Sequence, residues 1–202
     1  MRHAFLPLLT GLALVAAACS GSGNDSDSAH SAEAPAPLRV EATPDGLWVS
    51  TPSHLGPISA NTPYTLDALQ GVLPGFHVVA AEAYAEGMAY PVFEARRDAA
   101  GPAELMLDGD SSILLAIRIR APGLVDGVAD IGDTAAAAGF VHGDCFPGVE
   151  ERAGDVVCPD PRGNGLSYWI AVDHDGPDGD LPPDAAINAG QIYELNWLPA
   201  EY

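Results

Sequence analysis

The chain has 202 residues, with 28 Asp and Glu against 8 Lys and Arg, and a formal net charge of −20. All eight basic residues are Arg. This charge argues against a nucleic acid partner and against electrostatic attraction to anionic lipid, because both require clustered cationic side chains. The 22 Gly and 18 Pro make up about a fifth of the chain, above the usual ~12%. They favour short strands joined by turns, while the 48% hydrophobic content suffices for one core.

Residues 1–18 have the pattern of a lipoprotein signal peptide. Arg2 supplies a positive charge, and residues 4–18 form an apolar run too short to span a membrane as a stable helix. Three Ala residues then precede Cys19, which resembles the lipobox of bacterial lipoproteins, where the Cys is lipidated and becomes the new N-terminus. An ordinary secretory signal with an incidental Cys19 is the alternative. Ser20, where Asp would favour inner-membrane retention, favours the periplasmic face of the outer membrane.

Residues 19–37 are rich in Ser, Gly, Asp, Ala and Pro and contain no Phe, Trp or Tyr. Such a segment cannot bury enough apolar surface to offset its chain entropy. We therefore predict a disordered acidic tether after the lipidated Cys, followed by a single globular domain over residues 38–202. The tether would connect that domain to a membrane through the N-terminal lipid anchor.

Cys145 and Cys158 remain once Cys19 is assigned to lipidation, with twelve residues between them. In an oxidising periplasm two such residues are a natural structural disulfide. The closed loop would contribute about 3 kcal/mol in the chain-entropy model. The alternative, a redox-active pair, prefers a Cys-x-x-Cys spacing that this chain lacks.

The domain is predicted to be α+β, with a mainly antiparallel sheet and two short helices. One helix spans residues 65–73 with Thr65 as its cap, and the other spans 135–138 with Thr134 or Asp133 as its cap. Apolar alternation and turn residues predict the strands. These are residues 38–42, 47–49, 76–83, 89–96, 103–108, 113–120, 155–158, 166–172 and 191–198.

The two predicted helices have similar entrances, which favours a weak internal duplication. Ile58 and Thr62 precede the first helix, and Ile131 and Thr134 precede the second. Two helix-then-strands halves would then share one sheet. The alternative is coincidence, because Thr is a common residue at helix starts.

The segment 173–184 contains five Asp in twelve positions. Asp-rich loops with Gly can supply the six to eight oxygens that Ca²⁺ requires. The EF-hand spacing fails, because Asp178 stands where Gly is required and Asp184 replaces the closing Glu. Three prolines in the segment favour instead a rigid, solvated loop with Asx turns. The sequence leaves calcium binding open.

Catalytic motifs are missing from the sequence, which contains no Gly-x-Ser-x-Gly elbow, His-Glu-x-x-His helix or phosphate-binding Gly-rich loop. A zinc site at His142 and Cys145 would have too few ligands if both cysteines are paired. We therefore predict no catalytic, cofactor-binding or metal-binding residues and no cofactor. A hydrolase using an Asp–His pair at His142 or His174 remains the less favoured alternative.

The run Asp175, Gly176, Pro177, Asp178 and Gly179 precedes Leu-Pro and, further on, a Tyr-x-x-x-Trp strand. With Gly-Pro-Ile-x-Ala-x-Thr-Pro before the first helix and Ile-Gly-x-Thr before the second, the chain resembles the RpoE-regulated lipoprotein family. These are uncharacterised envelope lipoproteins of Gram-negative bacteria. The resemblance implies expression under envelope stress and a cysteine pair at this place, and it supplies no family active site.

Together these features predict a non-enzymatic lipoprotein that faces the periplasm and acts as a binding or structural accessory for another envelope protein. The alternative is an acidic inhibitor or small-molecule binder that acts on a basic periplasmic partner. An exposed Trp or Tyr at an unpaired sheet edge would favour partner binding by strand addition.

Overall fold

The computed structural model describes residues 42–43, 46–174, 176–177 and 179–200. The predicted signal peptide, Cys19 and the acidic tether lie outside these residues, as does most of the first predicted strand. The second predicted strand, residues 47–49, is wrong, because this segment forms no continuous strand and only Trp48 makes isolated bridges, to Ala42 and Val125. Within the described chain, no helix has the length and apolar character needed to span a membrane.

Three two-residue strands come next in the chain and form a small antiparallel sheet of their own. They are β1 (Ser50–Thr51), β2 (His54–Leu55) and β3 (Ile58–Ser59). The first helix, α1 (Leu66–Val72), follows as predicted. Thr65 caps it by accepting a hydrogen bond from the N–H of Ala68, which satisfies one of the free donors at a helix start.

The main sheet has eight strands, all antiparallel, and confirms the predicted fold class. Its spatial order is β4-β5-β6-β7-β11-β10-β9-β8. The strands are β4 (His77–Ala85), β5 (Met88–Arg96), β6 (Leu105–Asp110), β7 (Ile113–Ile119), β8 (Phe146–Pro147), β9 (Asp155–Pro159), β10 (Leu166–Ala171) and β11 (Gln191–Trp197).

The strand order divides the sheet into two four-stranded meanders. The first enters at the β4 edge and ends at β7 in the centre, and the second enters at the β8 edge and ends at β11 beside it. The antiparallel β7–β11 pair joins the two meanders, so each runs from an edge of the sheet to its centre. This is the topology that a duplicated strand unit predicts.

The second half of the chain contains two helices, α2 (Ala135–Ala138) and α3 (Asp184–Ala189). The prediction of two helices is therefore wrong by one, because Asp184 begins a helix and does not close an acidic loop. The cap of α2 also differs from the prediction, since Thr134 makes no side-chain hydrogen bond to the helix. Two short 3₁₀ helices, His142–Asp144 and Glu150–Arg152, lie between α2 and β9.

The hydrophobic core lies on one face of the main sheet, under the three helices and the small sheet. Alternate strand residues such as Ile117 and Ile119 point into it, as the Ile-Arg-Ile-Arg pattern of β7 predicts. The largest fully buried side chain is Trp197, whose indole N–H donates to the carbonyl of Thr51 at 2.8 Å. The helices contribute residues such as Leu69, Ala135 and Ile187, and Leu73 at the end of α1 joins them. The opposite face of the sheet, which we call the polar face, carries most of the arginines.

Candidate functional site

The structure joins Cys145 to Cys158 in a disulfide bond. Both cysteines are buried in the core, and Cys158 lies within β9. The bond attaches the 3₁₀ turn at His142–Asp144 to the sheet. Its burial matches a structural role, because redox-active cysteines need access to solvent and to a partner thiol.

The predicted motif loop lies partly outside the described residues, which exclude Asp175 and Asp178. Of the others, Gly176 lies close to the His174 ring, where a Cβ would come within 2.4 Å of Nε2. Gly179 adopts a positive φ of 83°, a conformation that favours glycine. The positive φ therefore accounts for glycine at 179, whereas the contact at Gly176 is with the end of a side chain that can shift and does not by itself require glycine.

A cavity of about 360 Å³ separates this loop from the turn between β8 and β9. It is lined by Pro147, Asp155, His174, Pro177 and Asp180, among others. Among the described residues, no three His, Cys, Asp or Glu side chains come together in a way that could hold a metal ion.

His142 does meet a carboxylate, as the hydrolase alternative requires. Its Nδ1 lies 3.2 Å from Asp184 Oδ2, and its Nε2 lies 3.1 Å from Asn188 Oδ1. Both partners belong to α3, so the imidazole fastens the 3₁₀ turn to that helix. These two contacts give His142 a structural explanation.

The polar face contains a buried carboxylate between two arginines. Glu194 of β11 is 2% exposed and accepts from Arg120 Nε at 2.8 Å and Arg152 Nη2 at 2.7 Å. The Arg152 guanidinium also stacks over the Trp169 ring, with its carbon 4.5 Å from the ring centroid. Arg152 donates to the Tyr193 hydroxyl at 2.7 Å as well. This network fixes the segment after β8 against the sheet, because the Arg152 guanidinium can stack on an aromatic ring and donate several hydrogen bonds at the same time.

The open edge of the sheet is the feature most suited to binding. A two-residue turn closes the β4–β5 hairpin, with positive φ at Glu86 and Gly87, so Ala85 and Met88 form a hydrogen-bonded pair. Alternation then directs the backbone N–H and C=O groups of every second residue away from β5. The N–H of Val78 points away from β5 in this way, and it donates to Gln70 Oε1 at 3.0 Å.

The outward groups of Ala80, Glu82 and Tyr84 have no backbone or side-chain partner within the described chain. All three residues are exposed, and the Tyr84 side chain is 69% exposed. These three residues are the open edge. They form a row of free donors and acceptors against which another extended chain can pair.

An acidic tip adjoins the open edge. It consists of Glu86 in the hairpin turn with Glu150 and Glu151, and the Glu86 N–H donates to the Glu151 carboxylate. Repulsion from Glu86, together with a hydrogen bond to it, raises the pKa of Glu150. The nearby Arg152 turns inward to Glu194 and so does not neutralise the tip. The tip therefore concentrates negative charge at one end of the open edge.

The opposite edge of the sheet is closed to pairing. It is formed by β8, whose two residues are Phe146 and Pro147. Proline lacks a backbone N–H, so this strand offers little to a pairing chain. The two edges of one sheet thus differ sharply in what they can bind.

No protein-family model matches the chain, and no curated protein matches it. A solved structure does: the crystal structure of the uncharacterized protein YfeY from Escherichia coli has a TM-score of 0.59 to this chain at 18% sequence identity. The match covers 74% of this chain and 97% of that one. The two proteins share a fold. At this identity the likeness to YfeY extends to the fold alone, so the sequence motifs above carry no family assignment.

The sequence did not identify the open edge or the Glu194 network. Both depend on which strands are neighbours, and strand order is a long-range property. The predicted strand 76–83 stops short of Tyr84, and its sequence carries no signal that places it at an edge.

Proposed function

We propose that the chain is a lipid-anchored envelope protein of the RpoE-regulated lipoprotein type that works without catalysis. Its domain binds an extended, positively charged segment of another envelope component by strand addition to the open edge. The observation that carries this proposal is the row of N–H and C=O groups at Ala80, Glu82 and Tyr84 that have no partner among the described residues. Anchoring at the periplasmic face of the outer membrane is proposed from the sequence pattern that ends at Cys19.

The charge of the partner is inferred from the edge itself. Glu82 projects from the centre of the open edge, and the acidic tip lies at its end. Opposite charges on directly paired strands stabilise a sheet by roughly 0.2–1 kcal/mol per pair, whereas like charges destabilise it. The net charge of −20 adds long-range attraction for a cation. A basic segment is therefore favoured over an acidic one, and binding should weaken as salt rises.

Self-association through the same edge is disfavoured by the same charges. Two copies of β4 paired antiparallel about Glu82 would bring their Glu82 side chains opposite one another. The repulsion would oppose the main-chain hydrogen bonds. A partner of different sequence is therefore the proposed occupant.

Photo-crosslinking in intact cells tests the proposal. A photoreactive amino acid in place of Tyr84 should capture a protein, whereas one in place of Val141, exposed elsewhere on the domain, should not. Ala80→Pro should abolish capture, because it removes an outward N–H while leaving the bonds to β5 intact. Glu82→Arg should also abolish it, while the matched control Asp173→Arg at an exposed loop should preserve it.

The proposal is overturned if Tyr84 captures nothing, or if the captured product survives both Ala80→Pro and Glu82→Arg. Circular dichroism of the two variants separates loss of binding from loss of folding. Both variants should keep the wild-type spectrum, because each change lies on the outer side of an edge strand.

A further inference from the structure

A cleft of about 640 Å³ lies on the polar face where β5 ends, β6 begins and β7 ends. Three of its lining residues are arginines and two are glutamates. The full lining is Glu94, Arg96, Arg97, Pro102, Ala103, Glu104, Arg120, Ala121 and Pro122. We call it the arginine cleft. It is separate from the open edge, which lies on β4.

The strand register places Arg96 and Arg120 on either side of Glu104. Ala95 pairs with Leu105, and Leu105 pairs with Ile119, so the next residues form a cross-strand row. The Arg120 N–H donates to the Glu104 carbonyl at 2.8 Å, which extends the row by one pair. With two strand spacings between them, the two arginine Cα atoms are about 10 Å apart. At that separation the Arg96 and Arg120 side chains are long enough to bind a small chemical group from opposite sides.

Both arginines retain unused donors. Arg96 contacts Glu94 through Nη2, and its Nε is buried without a hydrogen-bond partner among the described residues. Arg120 uses Nε on Glu194, and its two terminal nitrogens have no partner in the described chain. A guanidinium has five N–H groups, and leaving a buried one unpaired costs free energy that a bound acceptor would recover.

Arg97 forms a wall of the cleft and is already committed. It donates from Nε to Glu104 Oε2 at 2.6 Å and lies 5.8 Å from the centroid of the Phe76 ring. The Glu104 carboxylate therefore binds Arg97 and makes no hydrogen bond to Arg96 or Arg120 in the described chain. Arg97 is thus held to Glu104 through two of its three nitrogens, Nε and Nη2, whereas both terminal nitrogens of Arg120 have no partner in the described chain.

We propose that the arginine cleft binds a ligand through one carboxylate, held between Arg96 and Arg120. Three guanidinium groups and two carboxylates leave one net positive charge in the lining, although the whole chain has a charge of −20. One carboxylate balances that charge, while a doubly charged phosphate would add a negative charge to an acidic protein. The planar carboxylate also matches the fork of N–H groups on a guanidinium.

Nitrogen-15 NMR of the arginine side chains tests this site with the full-length chain. The sequence has no Lys and eight Arg, so the Nε–H region contains few signals. Acetate, added at constant ionic strength against chloride, should shift the Arg96 and Arg120 signals in a saturable way. The Arg162 signal is the internal control and should stay in place, because that guanidinium is held by Asp160.

Two variants make the assignment specific. Arg96→Gln should weaken acetate binding about tenfold, the usual cost of losing a charged hydrogen bond. Glu94→Gln should strengthen it severalfold, since it frees Arg96 of its carboxylate partner. An unchanged Arg162 signal in each variant verifies that the fold is retained.

Three results overturn the proposal: no saturable shift with acetate, a shift with phosphate but none with acetate, or an Arg96→Gln variant that binds acetate as the wild type does. Because acetate engages the cleft and not β4, these results are independent of the crosslinking outcome at Tyr84.

Discussion

Tyr168 donates its hydroxyl hydrogen to Asp160 Oδ2 over 2.9 Å, and this bond lies at the centre of a buried polar cluster. Asp160 is 3% exposed and also accepts from Arg162 Nε and Nη2 at 3.0 and 2.9 Å. The Tyr168 hydroxyl in turn accepts from the Val128 N–H at 2.9 Å. Asn164 Nδ2 donates to the same carboxylate at 3.2 Å. The cluster fastens the β9–β10 hairpin to the chain that leads into α2.

Replacing this carboxylate should destabilise the fold. Asp160→Asn removes the charge that Arg162 faces and offers an amide where Tyr168 and Arg162 both need an acceptor. Losing hydrogen bonds to a charged group costs about 2 kcal/mol of unfolding free energy, and the 40% exposure of the Arg162 side chain keeps the loss below that of a fully buried pair. Urea denaturation measures the loss, and Asp173→Asn at an exposed loop should change stability by less than about 0.5 kcal/mol. Equal midpoints for the two variants would contradict the buried role of Asp160.

The same carboxylate should shape acid denaturation. Burial acts to raise the pKa of Asp160, but hydrogen bonds from Arg162 and Tyr168 outweigh it and lower the pKa. Its stabilisation is therefore present above the unfolded-state pKa of about 3.9 and is lost as pH falls through the lower folded value. Unfolding free energies measured from pH 6 to pH 2 should show this step in the wild type and a smaller one in Asp160→Asn. Identical pH profiles would refute the linkage.

Alkaline conditions should also destabilise the protein through its buried tyrosines. Burial raises the pKa of Tyr64 to about 12. Burial also raises the pKa of Tyr168 and Tyr193, with Asp160 and Asp155 respectively adding to the effect. Each stays neutral in the fold after ionising in the unfolded chain, so stability falls as pH rises above about 10. Tyrosinate absorbance at 295 nm should show these groups ionising late, and Tyr168→Phe should remove one late step.

Removing the disulfide should lower stability without changing the fold. Replacing both Cys145 and Cys158 with Ala releases a loop with a sequence separation of 13 residues, worth about 3 kcal/mol in the chain-entropy model. Urea denaturation of the double variant, compared with the oxidised wild type, measures the difference. The reduced wild type should match the variant. If all three forms unfold at the same urea concentration, the bond contributes nothing.

Lipidation is predicted at Cys19. Metabolic labelling with a fatty acid should mark the protein and place it in the outer-membrane fraction, whereas Cys19→Ser should give an unlabelled, unprocessed chain. The variant Ser20→Asp is the matched comparison, and should keep the label while moving the protein to the inner membrane. A labelled Cys19→Ser protein would disprove the assignment.

The sequence predicts most strands and one helix well because their signals are local. Alternation in Ile117, Arg118 and Ile119 and the cap at Thr65 each depend on a few neighbouring residues. The sequence did not predict helix α3, because its six residues span less than two helical turns and only one of them, Ile187, is buried. The Asp residues before it also led to the assignment of Asp184 to the predicted acidic loop, although it begins the helix.

The site could not be predicted in the same way. Glu194 meets Arg120 and Arg152 across 74 and 42 residues of sequence, so the network depends on strand order and register. Likewise, the outward N–H of Glu82, which has no partner in the part of the chain that the structure describes, depends on β4 having one neighbour in the sheet. The disulfide could be predicted from the sequence, because the predicted oxidising compartment favours disulfides and only two cysteines remain to pair once Cys19 is assigned to lipidation.

The contrast between β4 and β8 limits how assemblies of this domain can grow. A fibre of stacked sheets needs each copy to offer one edge and accept at the other, and Pro147 removes an N–H from the second edge. If a partner binds β4 by strand addition as proposed, the addition would end after a single event. Crowded copies of the domain would form complexes of fixed size and would not polymerise.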